Sequence, residues 1–273
     1  MRLTTIRIDG GTTAARIEGD DLVRLPYPDL VALLGQPDWH VQARADGPRS
    51  AFVTEDLAPA VRPPKVICVG LNYRTHILEM GRDLPEYPTL FAKYPDALTG
   101  ARDDLVIPKV SDQVDWEVEL GVVIGTPARR VDEGDALDHV AGYTVVNDIS
   151  MRDWQRRTSE FLQGKTFESS TPVGPVVVSP DELDHALDLA LRCEVDGEVM
   201  QDARTSDLIF GTAALVSYIS QFTTLQPGDL IATGTPGGVG AGRDPQVFLR
   251  AGQTVTTTIE GIGSCINQVV AEV

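Results

Sequence analysis

The sequence predicts an α+β chain that is mainly β. Short runs rich in Val, Ile and Thr recur along its 273 residues, with Gly, Pro and Asp-Gly turn signals between them. Against them stands one helix-period segment: Leu208, Ile209, Leu215, Val216, Ile219 and Phe222.

Taken in order, Leu3–Ile8, Ala14–Glu18 and Asp21–Leu25 alternate as strands, and a short helix follows near Tyr27–Leu34. Prolines at 59, 63 and 64 mark a seam, which divides a small N-terminal domain (1–60) from the main domain (61–273). Lys65–Gly70 reads as a buried strand, and His76–Met80 as a helical turn at the start of a long Pro- and charge-rich loop running to Pro88. Asp115–Ile124 alternates and then turns apolar, the pattern of a strand that becomes buried, and Tyr143–Asp148 is a second strand with Asp148 at its end. Val173–Val178, Leu189–Val195, Leu230–Ala232 and Val255–Ile259 complete the strands, with a hairpin turn at Asp196-Gly197. Thr205/Ser206 would cap the 208–222 helix, which covers the core or a subunit contact.

Composition narrows the class. With 42% apolar residues the chain can fill a core, and a net charge of −17 argues against nucleic acid and anionic membrane surfaces as partners. The three cysteines lack CxxC spacing and read as reduced core thiols of a cytoplasmic protein. Neither a secretory h-region nor a membrane-spanning apolar run is expected.

The chemistry concentrates in three carboxylates. Glu117 and Glu119, two apart on a strand, share a face while Trp116, Val118 and Leu120 take the other. With Asp148, and without a Cys or extra His nearby, they describe an oxygen site for a hard cation: Mg²⁺ or Mn²⁺, with Ca²⁺ as a substitute. The apolar run around them implies burial, and buried charge must be paired or hold a metal. His76 and Glu79 are three apart on a helical turn, so the carboxylate can orient the imidazole as a general base. Lysine is scarce, with only Lys65, Lys93, Lys109 and Lys165 against 19 arginines. Lys165, in Gly164-Lys165-Thr166, is a candidate to stabilise a developing oxyanion. Arg152 and Gln155, one turn apart after Asp148, would aim a cation and an amide at one place. The turn Thr233–Gly240 lacks P-loop and dinucleotide spacing and instead offers backbone N–H groups and the Thr235 hydroxyl to a carboxylate.

These motifs together resemble the fumarylacetoacetate hydrolase superfamily, in particular its bacterial acylpyruvate hydrolase-like members. The resemblance rests on Gly70–Glu79, Asp115–Leu120, Asn147–Gln155, Gly164–Phe167 with Pro172–Pro175, Thr233–Pro236 and Glu260–Gly263, in this order over about 210 residues. It implies a mixed β-sandwich roll with a small N-terminal domain, a homodimer, and Mg²⁺ or Mn²⁺ on Glu117, Glu119 and Asp148. A 2-oxo acid would chelate that metal, beneath a lid carrying His76 and Glu79, with Lys165 stabilising charge. Lys165, Arg152 and Arg74 would offset the acidic ligands and admit the anion. The implied reaction is hydrolysis of the C3–C4 bond of a 2,4-dioxo acid to pyruvate and a carboxylic acid. Decarboxylation, isomerisation or hydration through the same metal–enolate chemistry is the enzymatic alternative, and a non-catalytic ligand-binding role the alternative of another class. Tyr94-Pro95 and Glu168–Thr171 depart from the acylpyruvase pattern and are expected to line the distal end of the pocket.

Overall fold

The first strand of the chain pairs with one far along the sequence, Arg2 against Val178 and Leu3 against Val177. The computed structural model describes residues 1–79, 81 and 83–273, without the side chain of Glu79, so the expected His76–Glu79 pairing lies outside what is described. Arg2–Ile8 runs antiparallel to Thr171–Val178, so the segment expected as a separate N-terminal domain extends the main sheet without a break in hydrogen bonding. The order across that eleven-stranded sheet is Arg49–Ala51, Asp21–Arg24, Gly11–Glu18, Arg2–Ile8, Thr171–Val178, Val140–Asn147, Val118–Ile124, Leu230–Ala232, Val66–Gly70 and Thr89–Lys93, with Leu98–Thr99 paired to Thr171–Val178. Most pairs are antiparallel; Leu230–Ala232 and Val66–Gly70 run parallel. A five-stranded sheet (Glu198–Arg204, Ala190–Val195, Thr254–Ile259, Gly263–Ala271, Leu105–Ile107) packs against it.

Strand alternation builds two cores from one sheet. Val118, Leu120, Val122 and Ile124 join Leu191, Cys193, Val255 and Cys265 of the smaller sheet in one apolar cluster. Val123, Val146, Val173 and Leu230 meet Leu30, Leu33, Leu34 and Trp39 of the N-terminal segment in the other. The central strand Val118–Ile124 is thus buried on both faces, which is why its sequence runs apolar. All three cysteines are free and buried, as expected. The Asp196-Gly197 hairpin forms, both residues having positive φ (52° and 81°), the backbone of a two-residue turn. Among the described residues no helix is long and apolar enough to cross a membrane.

Two local expectations change. Asp115–Ile124 is not one strand: Val114–Asp115 and Val118–Ile124 are separate, and Trp116 and Glu117 lie between them. Side chains replace the ladder there, the Glu117 N–H donating to Asn147 Oδ1 at 3.0 Å and the Val118 N–H to Gln201 Oε1 at 2.9 Å. The 208–222 helix is also shorter. It spans Thr212–Ser220 behind Gly211, while Thr205–Asp207 forms its own 3₁₀ turn and Phe222 is exposed. Leu208–Phe210 cannot be helical because its backbone is used elsewhere: the Ile209 N–H donates to Asn72 O and the Phe210 N–H to Asn72 Oδ1, both at 2.9 Å.

Candidate active site and metal centre

Glu117, Glu119 and Asp148 meet where the central strand and its neighbour Val140–Asn147 leave the sheet. Asp148 follows directly on Asn147, and its N–H donates to Glu117 O at 2.9 Å, which locks the two chain segments together. Each acid offers an oxygen within 4.8 Å of the others', and all three are buried (6%, 1% and 0% exposed).

Cations compensate two of the three. Lys165 Nζ, itself 2% exposed, lies 2.6 Å from Glu117 Oε2 and 2.8 Å from Asp148 Oδ2. Arg152 reaches Glu117 Oε1 at 2.7 Å and Asp115 Oδ2 at 2.7 Å, and donates to Gln155 Oε1 at 2.9 Å. Lys93 donates to Asp148 Oδ1. Glu119 has no salt-bridge partner among the described residues; it accepts the Gly234 N–H at 2.9 Å. Burial, then the charges of Asp148 and Glu117, push its carboxyl well above the usual range, against the pull of Lys165. Burial acts in the same sense on Asp148, but Lys165 and Lys93 outweigh it and hold that carboxyl below its ordinary value. Lys165 stays charged: burial disfavours its ammonium, yet Asp148 and Glu117 raise its pKa above the free value. The same balance, with Glu117 and Asp115 as partners, holds for Arg152.

This donor set fits a divalent cation of the Mg²⁺ or Mn²⁺ class. Every candidate ligand atom is a carboxylate oxygen, the three converge, and Glu119 is a buried acid with no salt-bridge partner among the described residues.

A cavity of about 210 Å³ opens onto the cluster, lined by Glu117, Glu119, Arg152, Gln155, Lys165, Thr235 and His76. His76 comes from the helix Arg74–Glu79, whose start is tied down from across the molecule: Asp207 accepts from the Thr75 N–H at 3.0 Å and from its hydroxyl at 2.9 Å. The rest of the lining is apolar, from Val69, Leu71, Phe91, Phe161 and Val239 around Gly70.

The structure therefore gathers eight of the ten sequence candidates. Of the other two, Glu79 has no described side chain, and Arg74 is exposed and does not line the cavity. Three further expectations are corrected. Tyr94-Pro95 and Glu168–Thr171 do not form the distal wall; Tyr94 is 55% exposed, and Phe91 and Phe161 stand there instead. Glu117 and Glu119 do converge, but Glu117 lies just outside the strand that carries Glu119 and not on one continuous strand with it. The Gly-rich turn directs N–H groups to the protein's own acids, Gly234 to Glu119 and Gly240 and Ala241 to Asp115 (2.7 and 3.0 Å), while Thr235 donates to Val118 O at 3.0 Å.

Sequence reasoning missed Lys93 and Asp115 as site residues. The scarcity of lysine was the available signal for the first. For the second it was an acid two residues before Glu117, which the strand reading placed on the same face.

Residues 65–270 match the family model described as fumarylacetoacetate (FAA) hydrolase C-terminal. The chain is 47% identical over 216 residues to oxaloacetate tautomerase FAHD2A, mitochondrial, of Bos taurus, covering 78% of this chain and 69% of that protein. Among solved structures it is similar to 5-carboxymethyl-2-hydroxymuconate delta-isomerase from Mycobacterium smegmatis (34% identity, TM-score 0.85, both chains fully covered). It is also similar to fumarylpyruvate hydrolase from Pseudomonas aeruginosa in complex with Mn²⁺ and pyruvate (34% identity, TM-score 0.70, 78% of this chain and 91% of that one).

Proposed function

Because the chain belongs to the fumarylacetoacetate hydrolase family, we propose that it is a divalent-metal-dependent enzyme that interconverts the keto and enol forms of 2-oxo acids, oxaloacetate among them. The observation that carries this reading is the buried triad of Glu117, Glu119 and Asp148 at the floor of a cavity that His76 also lines. The tautomerase name of a relative 47% identical favours this reaction over bond cleavage.

A cation held by the triad would supply Lewis acidity toward the carboxylate and 2-oxo oxygen of the substrate. The chain's own residues do the rest. His76 takes the proton from C3, the electron pair left behind forms the C2=C3 bond while the C2=O π pair moves onto oxygen, and the protonated His76 then gives its proton to that oxygen. Lys165, kept charged by Glu117 and Asp148, supplies positive potential where negative charge develops. Arg152, anchored on Asp115, holds the Gln155 amide at the cavity. Closure of the helix carrying His76 would exclude water, which otherwise competes for the proton.

The second reading is hydrolysis of a 2,4-dioxo acid, favoured by the fumarylpyruvate hydrolase likeness and by a histidine able to activate water. Enol absorbance and product analysis with Mn²⁺ and oxaloacetate or an acylpyruvate separate the two. Enol–keto relaxation without pyruvate plus free acid supports tautomerisation, and stoichiometric pyruvate plus acid supports hydrolysis. No acceleration of either by the loaded enzyme refutes the catalytic reading, and full activity in His76→Ala refutes the base assignment alone.

A further inference from the structure

One wall of the cavity is used by no step of the chemistry above. Phe91 and Phe161 meet edge to face, their centroids 5.7 Å apart at 77°. Gly70 lies flush against both: a Cβ there would sit 3.7 Å from Phe161 Cε2 and 3.9 Å from Phe91 Cε1. Lys165 Nζ is 5.3 Å from the Phe91 centroid, so the aromatic surface begins at the edge of the charged floor. Both rings are half-buried and line the cavity, presenting apolar surface to whatever enters.

Charge at the floor sets a second constraint. Asp115, Glu117, Glu119 and Asp148 contribute four formal negative charges, and Lys93, Arg152 and Lys165 three positive ones. A divalent cation turns that one net negative charge into one net positive charge, which a single substrate carboxylate cancels. The cations lining the cavity among the described residues, Arg152 and Lys165, are each within 2.8 Å of two carboxylates already. Among the described residues, a second carboxylate turned toward Phe91 and Phe161 would meet apolar surface and no lining Lys or Arg that is not already ion-paired, which is unfavourable.

Resting on the 2-oxo acid reading proposed above, we infer that the preferred substrates are 2-oxo acids with a single carboxylate and an apolar, aryl-sized substituent on C3, seated on Gly70, Phe91 and Phe161. The reaction is unchanged and involves no oxidation: the C3–H bond breaks, His76 receives the proton, C2=C3 forms as the C2=O π pair moves onto oxygen, and His76 passes the proton to that oxygen. An aryl group on C3 also conjugates with that new double bond, which favours the enol.

The test uses the full-length chain loaded with Mn²⁺ or Mg²⁺ and three probes: pyruvate without a tail, phenylpyruvate with an aryl tail, and oxaloacetate with a carboxylate tail. Affinity is read by calorimetry, and C3–H exchange with deuterium by NMR in the Mg²⁺ form. Phenylpyruvate is expected to bind roughly 10- to 100-fold more tightly than pyruvate, the range for filling an apolar pocket. Phe161→Ala should collapse that ratio toward one, and Phe161→Leu, which keeps apolar bulk should the alanine variant fold poorly, should reduce it only in part. If oxaloacetate exchanges but phenylpyruvate binds no better than pyruvate, this inference is overturned and the proposed function stands. If no probe exchanges faster than without enzyme, the proposed function fails and takes this inference with it.

Discussion

Replacing Lys93 by methionine tests whether the acidic cluster is built around a cation that is not bound to the chain. Lys93 is 2% exposed, donates to Asp148 Oδ1, and lies 3.4 Å from Ile149 O. Methionine keeps most of the side-chain volume but removes the charge, leaving a fully buried carboxylate with one fewer partner. Removing one member of a buried ion pair costs about 3–5 kcal/mol. Asp148 retains Lys165 at 2.8 Å, so the lower end, about 3 kcal/mol, applies. At roughly 2–4 °C per kcal/mol for a chain of this size, the melting temperature of the metal-free variant falls by about 6–12 °C. Saturating Mn²⁺ supplies positive charge to the same carboxylate and should shrink the gap to less than half. Differential scanning calorimetry of Lys93→Met and the parent protein, with chelator and with Mn²⁺, measures both. A metal-free loss below about 1 kcal/mol, or an equal loss with and without Mn²⁺, would show that Lys93 is not a stand-in for metal charge.

Four further outcomes follow from the same geometry. Divalent-cation affinity should rise with pH: the metal-free chain holds a proton on Glu119 above the ordinary carboxylate range, and the metal must displace it, costing up to about tenfold per pH unit below the raised value. Metal-free stability should fall as pH climbs through that interval, because the folded state there binds more protons than the unfolded one; Asp148, with its lowered carboxyl, acts oppositely, losing stability only as pH drops below the ordinary range. Mn²⁺ titrations with proton counting check the sign, and a pH-independent affinity contradicts it. Asp207→Ala removes both acceptors from Thr75, a cap worth about 0.5–2 kcal/mol, and should speed proteolysis near residues 74–79 and lower kcat/KM while Mn²⁺ affinity holds. Asp207→Asn should recover part of the loss, and an unaltered kcat/KM in the alanine variant would remove Asp207 from the positioning of His76. In Gly240→Ala the new Cβ would lie 1.8 Å from Val247 O and 2.9 Å from Asp115 Oδ1, so the turn must move and the Gly240 N–H bond to Asp115 is disturbed. Its melting temperature and its affinity for pyruvate should both fall; retention of both would mean that the turn does not orient Arg152 through Asp115.

By itself the sequence determined which segments become strands and where the acids sit. Alternation and apolar runs are short-range signals, so Val118–Ile124 and Val140–Asn147 were legible, as was Asp148 at a strand end. The demand that buried charge be compensated then pointed from Glu117, Glu119 and Asp148 to a metal. What compensates them without one was legible only in part, since Lys93 and Lys165 lie 55 and 17 residues from Asp148, and no local period relates such positions. The departure from the strand at Trp116 and Glu117 was likewise hidden, because it depends on Asn147 and Gln201 supplying acceptors from 30 and 83 residues away. The same holds for the N-terminal strands and for the aromatic wall. Joining Arg2–Ile8 to Thr171–Val178, and bringing Phe91 against Phe161, are choices of sheet order and burial made by the whole chain. Local residue patterns specify which backbone can be a strand and which side chain can ionise. Only the tertiary structure decides which of them share a low-dielectric pocket, because that depends on contacts between residues far apart in the chain.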